Sequence, residues 1–506
     1  MKRLLTIIAL LVCIQSLFAQ TYELGFDAKV LKNYSIFKKG DIIHVDSMKH
    51  QLTFQETLSG SIPQNTYMLY TSAGSTMVKE KLEKVLDVNY RNAQDFWNAQ
   101  AIFNVLEDLT KNGTQEEIRA EMESDVLEYI NRVTRNGMQL DDPFLESYIY
   151  SVITKLSPQI LIDGRPGVVN LLILSGTTAN AYMFPNGTLV VTTGLISLLH
   201  SEDELAAILA HEIAHFVLDH SVQNYNKIKK AQKRAEFWAA FATVLTGIAE
   251  GAAAANNPYY KPGLATLSVA IAAEQIAAEV CKKLGMAYTR KQESEADNVA
   301  KELIRVMGYD PNALATALSR IEEAMKQERS IEMYFASDHP ALIDRIKNAG
   351  IPSNRVDKDF EKIISFAVSD AASMKMQDRR FRQALPLVSQ NISNNVGTAD
   401  DYIQKANCLL YMKNDANSYN EVVNLIGEAK KIRPNNINIY KTEIIVYLRQ
   451  ARYNEAKNLL ASYRERLLSM IKFSEEIPEI EKTRRYNYIN SEIIWVDDMT
   501  QKLKAF

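Results

Sequence analysis

The sequence predicts an α+β protein that is mostly helical, with one small sheet in its middle third and α-helical repeats in its last third. Three observations predict this class. An apolar run over residues 168–174, interrupted by Asn170 alone and followed by Asn186-Gly187, is typical of a buried strand and a hairpin. Apolar side chains surround a helix that begins with a cap at Ser201. The last third shows repeated helical patterns.

Composition limits the function classes. With 506 residues, 47% hydrophobic and 24% charged, the chain is typical of a globular protein of two or three domains. The formal net charge is −3 and no basic patch dominates, so we expect no nucleic-acid partner. The 3 cysteines include no CxxC pair, which argues against a disulfide framework or a redox site.

The first 19 residues have the form of a signal peptide. Lys2 and Arg3 precede an apolar run over residues 4–18, and Ala19 offers the small residue that cleavage requires. We therefore expect an exported protein. The alternative is that this segment stays uncleaved as an N-terminal anchor.

Residues 20–135 are predicted to form an N-terminal extension of short strands followed by helices. Short β-like pieces occur at residues 41–45 and 51–54, and residues 78–134 look helical and strongly charged. The sequence assigns this extension no function.

The pentapeptide His-Glu-Ile-Ala-His at residues 211–215 carries the most specific chemistry. On a helix the two imidazoles lie on one face, with Cβ atoms about 5–6 Å apart, and can bind one metal ion. Glu212 then lies beside a metal-bound water, which is the arrangement of zinc peptidases. The alternative is a pair of hydrogen-bonded core histidines. His220, five residues after His215, would lie about 140° off the metal face and is assigned to structure.

A catalytic zinc site needs a third protein ligand, and Glu293 is the best candidate. Glu293 and Asp297 are four apart on a predicted helix that runs to about Gly308. Asp297 would accept a hydrogen bond from the free N–H of a zinc-bound His, while Glu295 would face solvent. Spacing alone is also explained by an acidic helix start that favours the helix dipole.

The order of the motifs resembles the zinc endopeptidase family that contains the HtpX-like and CAAX-prenyl proteases and soluble periplasmic members of the BepA type. The resemblance spans roughly residues 140–350 and rests on residues 211–215, 293–297, 308–311 and His339-Pro340 with Arg345. It implies a gluzincin-type metallopeptidase domain over residues 136–350 that binds one Zn²⁺. The implied zinc ligands are His211, His215 and Glu293, with Glu212 as the general base.

His339 and Arg345 have two chemical readings and one structural one. The resemblance places both in the active-site cleft, where a protonated His and an Arg would stabilise the oxyanion of a peptide under attack. Alternatively, a neutral His339 occupies the open zinc position and keeps the enzyme latent. The third reading is a His-Pro turn that caps a helix.

Two further segments suggest how a substrate is held. An exposed edge of the small sheet, at residues 180–194, would pair with an extended polypeptide; the alternative is a hairpin that only packs on the zinc helix. Residues 236–285 contain two uncharged runs too short for a membrane span and are predicted to form an apolar helical hairpin over the cleft. Docking of this hairpin on a membrane surface or a partner is the alternative.

Residues 351–506 look like a tetratricopeptide-type (TPR-like) helical repeat domain. Residues 402–406 return as residues 440–444, Pro434 stands at the expected place, and residues 453–460 fit a second helix. The spacing departs from 34 residues, so generic helical hairpins are the alternative. Either form builds a concave surface for polypeptide partners, including outer-membrane or envelope proteins.

Together these features predict an exported zinc endopeptidase, located in the periplasm or envelope of a Gram-negative-type bacterium, that hydrolyses unfolded or misassembled envelope proteins. The substrate class rests on the BepA-type resemblance alone. The alternative is a non-catalytic envelope assembly factor that acts through its TPR-like domain, against which an intact Glu212 argues. A membrane-embedded prenyl-protein protease would need spans of about 20 apolar residues, which the sequence lacks.

Overall fold

The computed structural model describes most of the chain. The segment predicted to be a signal peptide lies outside the described residues except for Ala19, and so does nearly all of the predicted apolar hairpin at 236–285. The described residues are 19–57, 60–79, 82–90, 92–104, 114–135, 138–159, 167–229, 284, 286–327, 339, 341–412, 416–471 and 479–505.

The N-terminal segment begins with a five-stranded antiparallel sheet in the order β4-β3-β2-β1-β5. Val45, Met48 and Leu69 are fully buried on its apolar face. The prediction of short strands was wrong, because three of the strands are 12 to 16 residues long. The polar residues between the apolar ones do not separate short strands but lie within long strands that have one polar face. The strands are β1 Ala19–Val30, β2 Ile42–Thr57, β3 Gly60–Thr71, β4 Gly74–Val78 and β5 Leu86–Asn89.

Two helices follow, and both pack on the middle of the chain. Residues 78–89, predicted helical, instead contain the end of β4, a 3-10 turn at Leu82–Lys84 and β5. The helices are α1 Ala93–Asn104 and α2 Thr114–Arg135. Tyr129 of α2 is buried, and its hydroxyl lies 2.9 Å from the hydroxyl of Tyr182 in the second sheet. The predicted extension is therefore in close contact with the domain that follows it.

The second sheet has three strands in the order β6-β8-β7, with β6 parallel and β7 antiparallel to β8. The strands are β6 Asn170–Leu174, β7 Ala181–Met183 and β8 Thr188–Thr192. The predicted strand and hairpin are both present. Gly187 has a φ of +84°, a left-handed conformation that favours glycine, which explains the turn at Asn186-Gly187.

The central helix, α5 (Glu202–Val217), is buried along nearly its whole length, as its apolar side chains predict. Ser201 caps it by accepting from the N–H of Glu204 at 3.2 Å. The carboxylate of Glu204 accepts from the N–H of His200, one residue before the position that a capping box predicts. Helix α5 ends at Val217, and Leu218 caps it. Asp219 then has a φ of +58°, and a new helix begins at His220.

The helix predicted to carry Glu293 is α7 (Arg290–Val306). Thr289 and Gln292 form a capping box at its start, and Gly308, with a φ of +84°, follows its end. Helix α7 packs along α5. The remaining helices of this region are α3 Pro143–Leu156, α4 Thr193–Ile196, α6 His220–Lys229, α8 Ala313–Gln327 and α9 Leu342–Ala349.

The last third is a series of antiparallel helical hairpins, which confirms the helical prediction for this region. One hydrophobic core continues from α5 and α7 into the first of these hairpins, where Phe360, Val368 and Val388 are buried with them. No boundary in the core marks residue 351. The helices are α10 Lys358–Ile363, α11 Ser365–Gln377, α12 Phe381–Ser393, α13 Ala399–Met412, α14 Ala416–Ile432, α15 Ile437–Arg449, α16 Tyr453–Ser469 and α17 Glu479–Lys502.

None of the helices in the described residues is both long and apolar enough to cross a membrane.

Candidate metal centre

His211 and His215 lie one turn apart on α5, on the face that α7 covers. Their side chains are 2% and 1% exposed, and the two Nε2 atoms are 3.0 Å apart. At this separation one Nε2–H can donate to the other nitrogen, or both lone pairs can bind one cation between them. The spacing in sequence therefore gives the geometry that was predicted.

Glu293 comes to these histidines from α7. Its carboxylate is fully buried, with Oε1 at 3.3 Å from Nε2 of His215 and Oε2 at 3.6 Å from Nε2 of His211. The packing of α7 on α5 thus brings the predicted third ligand to the two imidazoles across a long separation in sequence.

His339 also lies in this group. Its Nδ1 is 3.2 Å and 3.3 Å from the two oxygens of Glu293, and its Nε2 is 3.9 Å from Oε1 of Glu212. The ligand atoms of His211, His215, Glu293 and His339 all lie within 4.8 Å of one another. The structure therefore offers four buried donors, where the sequence predicted three and left the place of His339 open.

Asp297 and Arg345 form a charged layer behind His211. Asp297 Oδ1 is 2.9 Å from Nδ1 of His211, where the spacing on α7 predicted it. The Arg345 guanidinium is buried and binds Asp297 through two parallel contacts, each 2.8 Å long. Its Nη1 is 2.5 Å from Glu293, and its Nη2 is 3.3 Å from Nε2 of His211. Arg345 therefore binds both Asp297 and Glu293, and it also faces His211.

His220 and Tyr288 support His215 from the other side, and sequence reasoning missed both contacts. The His220 Nδ1 is 2.9 Å from the His215 Nδ1, and both imidazoles are buried. The Tyr288 ring stacks on the His215 ring, with centroids 3.6 Å apart. The 140° offset predicted for His220 assumed an unbroken helix, which the turn at Asp219 invalidates. Tyr288 carries no signal beyond its place beside the cap Thr289.

Burial and charge set the protonation of the group. Burial raises the pKa of Glu212 and lowers the pKa of His215 well below its ordinary value. Burial alone would raise the pKa of Glu293, but the charges of His339 and Arg345 hold it well below its usual range. In the same way Arg345 overrides burial and lowers the pKa of Asp297 to about 2.

Neighbouring acids act in the opposite sense on His339. Burial would lower its pKa, yet Glu293 and Glu212 raise it to about 9. By contrast, burial lowers the pKa of His220 to about 4, so that this imidazole is neutral at neutral pH.

The donor set fits a zinc ion. Imidazole nitrogens with one carboxylate oxygen are the ligands of catalytic zinc sites. Oε2 of Glu212 is buried and has no hydrogen-bond partner among the described residues. It is therefore a free hydrogen-bond acceptor beside the four residues that could bind a metal. A buried carboxylate oxygen without a partner is costly, and a water between it and a cation would satisfy it.

The edge strand β7 lies beside α5. Its only pairing among the described strands is with β8, so its other edge has no strand partner there. Ala181 and Met183 pack toward α5, whereas Tyr182 points to the opposite face, toward α2. Just before the strand, Oδ1 of Asn180 is buried and has no hydrogen-bond partner in the described part of the chain.

Comparison with known proteins supports the same region. Residues 143–351 match the model of Peptidase family M48, which agrees with the extent predicted from the motifs. The beta-barrel assembly-enhancing protease of Escherichia coli O157:H7 is 24% identical over 232 residues, covering 45% of this chain and 43% of that protein. The mitochondrial metalloendopeptidase OMA1 of Schizosaccharomyces pombe is 30% identical over 177 residues, covering 35% and 44%.

Metalloprotease LoiP of Escherichia coli K12 is 25% identical over 187 residues, covering 37% of this chain and 63% of that protein. The chain therefore spans less than half the length of the first two relatives, 43% and 44%. Among solved structures, the TPR2AB domain of yeast Sti1 in complex with pHSP90 matches with 16% identity and a TM-score of 0.20, covering 56% of this chain and 98% of that one. That likeness is too distant to argue from.

Proposed function

We propose that this chain is a zinc-dependent endopeptidase, taking as the premise that residues 143–351 form a Peptidase family M48 domain. The observation that supports it best is the approach of His211, His215 and Glu293 to one point beside the unpartnered carboxylate oxygen of Glu212. These three residues would hold one Zn²⁺, and a purely structural site would need no Glu212.

Bound Zn²⁺ would polarise the scissile carbonyl and make a water acidic enough to attack it at neutral pH. Glu212 takes a proton from that water as general base and passes it to the leaving amine as general acid. The burial that raises the Glu212 pKa favours the second half of this transfer. Asp297 would keep the His211 ring oriented, because its Oδ1 lies 2.9 Å from Nδ1 of His211.

Arg345 would have a positioning role in addition to the predicted oxyanion role. Its two contacts to Asp297 fix that carboxylate against His211. Its Nη2, near Nε2 of His211, puts positive charge beside the donor group, as oxyanion binding requires.

For His339, proximity to Glu293 and Glu212 fits the latent-enzyme hypothesis only if the imidazole is neutral, whereas its raised pKa favours the protonated form that the oxyanion hypothesis requires. The imidazole lies within 3.3 Å of both Glu293 oxygens, and its other nitrogen faces Glu212 across 3.9 Å. A neutral His339 there would take the position that a water needs. His339→Ala separates the readings: higher activity supports the plug, lower activity supports the oxyanion role, and unchanged activity contradicts both. His44→Ala, on the N-terminal sheet, is the matched control.

The substrate would bind as an extended strand along β7. The outer edge of β7, predicted to be exposed, is covered in the structure, since residues 181–183 are only 1–3% exposed. Once uncovered it would supply main-chain hydrogen bonds, and the Asn180 amide oxygen would offer one more acceptor. Main-chain recognition of this kind selects unfolded segments and is tolerant of sequence.

We further propose that the substrates are unfolded or misassembled envelope proteins, including β-barrel proteins, and that the protein works after export, in the periplasm or envelope. The support is the likeness to the beta-barrel assembly-enhancing protease, together with the signal-like first 19 residues. The helical hairpins after residue 351 would bind these polypeptides on a TPR-like surface.

The deciding experiment measures zinc content and cleavage of casein and unfolded outer-membrane protein by the wild type and Glu212→Gln. We expect one zinc per chain in both proteins and a loss of activity of at least about 100-fold in Glu212→Gln. Glu302→Gln, an exposed residue on α7, is the matched control and should stay active. Zinc binding without any Glu212-dependent cleavage would favour a non-catalytic assembly factor instead.

A further inference from the structure

The break between α5 and α6 places His220 against a proposed metal ligand. On an unbroken helix His220 would lie about 140° from His215. Instead Asp219 adopts a left-handed φ of +58°, and α6 begins at His220 with its imidazole 2.9 Å from that of His215. Left-handed conformations of residues other than glycine persist only where surrounding contacts hold them.

The contact between His215 and His220 fixes the tautomer of each imidazole. His215 directs Nε2 at Glu293 and His211, so this is the nitrogen that would carry no proton and bind the metal. The proton of neutral His215 is then on Nδ1, and it is donated to Nδ1 of His220. His220 in turn carries its own proton on Nε2, which faces Oε2 of Glu295 at 3.4 Å.

The two proposed histidine ligands are thus oriented through different numbers of groups. Nδ1 of His211 lies directly against the carboxylate of Asp297, at 2.9 Å. His215 reaches a carboxylate, Glu295, through one intervening imidazole. Metal-bound histidines generally donate their second N–H to such a partner, which orients the ring and raises its basicity.

A helix from the N-terminal segment holds the break in place. Arg119 of α2 forms an ion pair with Asp219, whose side chain is 8% exposed. Helix α2 also covers the face of the second sheet that carries Tyr182, and it shares a hydrophobic core with Val222 of α6 and Tyr288. The left-handed residue is therefore fixed from outside its own helix.

We propose that His220 is a positioning residue for His215, and that α2 keeps His220 in position through the Arg119–Asp219 ion pair. The inference rests on the proposed function, because it takes His215 as a metal ligand. It gives residues 114–135 a role that the sequence did not assign: they complete the support of the metal centre.

The first test compares zinc affinity, by chelator competition, in the wild type, His220→Leu and His220→Gln. Leucine removes the hydrogen bond to His215 and the contact with Glu295 at similar volume, and we expect affinity to fall by about 10-fold to 100-fold. Glutamine offers an acceptor and a donor, as neutral His220 does, and should recover part of the loss. The absorption spectrum of the Co²⁺-loaded protein should shift in His220→Leu and return toward wild type in His220→Gln. His44→Leu is the control.

The second test asks whether Arg119 acts through His220. Arg119→Met keeps most of the side-chain volume and removes the ion pair, and we expect zinc affinity to fall by roughly 3-fold to 10-fold. In the His220→Leu background the same change should have no further effect. Arg464→Met, which breaks an exposed pair with Asp497 in the helical hairpins, is the control.

Each outcome decides one point. Wild-type affinity and an unchanged cobalt spectrum in His220→Leu would overturn the role of His220, and His220→Gln carries the test if the leucine variant does not fold. An equal loss from Arg119→Met in both backgrounds would overturn the role of α2. If the wild type binds zinc and cleaves casein while His220 variants match it, only this inference fails. Absence of zinc from the wild type would instead reject the proposed function.

Discussion

The two histidines of the pentapeptide are supported by opposite kinds of chemistry. Behind His211 lie two full charges, Asp297 and Arg345, that bind each other at 2.8 Å in a buried layer. Around His215 lie a neutral imidazole and a stacked phenol ring, His220 and Tyr288. The charged side depends on the pairing of Asp297 with Arg345, and the loss of either partner leaves a buried charge unpaired. The neutral side depends on the packing of the rings and on which nitrogen of each imidazole carries the proton.

The charged side should show the largest loss of stability. Asp297→Ala leaves Arg345 buried with Glu293 as its remaining acidic contact, and we expect the free energy of unfolding in urea, without metal, to fall by about 3–5 kcal/mol. Glu302→Ala on the same helix breaks an exposed pair with Arg305 and should cost less than about 1 kcal/mol. Equal costs for the two variants would remove the distinction between the two sides. The double variant Asp297→Ala/Arg345→Ala should lose less than the sum of the single changes.

On the neutral side, Tyr288→Ala should lower the free energy of unfolding by about 2–4 kcal/mol, because it removes a buried ring and its stack on His215. Tyr288→Phe keeps the ring and should cost less than about 1.5 kcal/mol. Urea unfolding of the three proteins without metal checks the order. A phenylalanine variant as unstable as the alanine variant would mean that the hydroxyl, and not the stack, supports His215.

Metal removal tests both sides together. With free zinc at about 100 times its dissociation constant, binding stabilises the folded protein by about 2.7 kcal/mol. Chelation should therefore lower the thermal midpoint of the wild type, measured by circular dichroism. The same chelator should leave Glu293→Gln, which lacks one of the proposed ligands, nearly unchanged. A wild-type midpoint that does not respond to zinc or chelator would contradict the assignment of the donors.

The smallest effect is expected at Glu295, the far end of the neutral side. Its side chain is 45% exposed and also pairs with Lys291, so solvent screens its charge. Glu295→Gln should lower zinc affinity by only about twofold to threefold, while Asp297→Asn, a buried carboxylate in the equivalent place, should lower it about 10-fold or more. Chelator competition measures both, and a reversed order would show that the relay through His220 is the stronger support.

The charged side could be predicted from the sequence and the neutral side could not, for a physical reason. The pairs His211–His215 and Glu293–Asp297 each lie four residues apart on one helix, and that spacing places them on one face whatever surrounds them. The Glu293 assignment still needed the family resemblance, since an acidic helix start has a simpler explanation. His220 depends on a single left-handed residue, Asp219, whose conformation is held by Arg119 of a distant helix.

The same limit applies to the fold. The hairpin at Asn186-Gly187 was predictable because the turn requires a left-handed residue, and glycine, here Gly187 at a φ of +84°, is the residue that adopts this conformation most readily. The long strands of the N-terminal sheet were not predictable. The rest of the domain decides which face of a polar strand is buried. The packing of α2 on the second sheet likewise depends on tertiary contacts that no local sequence pattern specifies.

The hydrophobic core that runs without interruption from α5 into α11 and α12 has a consequence for cleavage. The hydroxyls of Ser175 and Thr193 donate to Asp370 of α11 across the same seam, so the first helical hairpin has no hinge on which to swing. The first hairpin therefore lies at a set distance from His211, His215 and Glu293. If the proposed function holds, a polypeptide bound on this hairpin would be cut at a similar number of residues from the point where it is held, whatever sequence lies there.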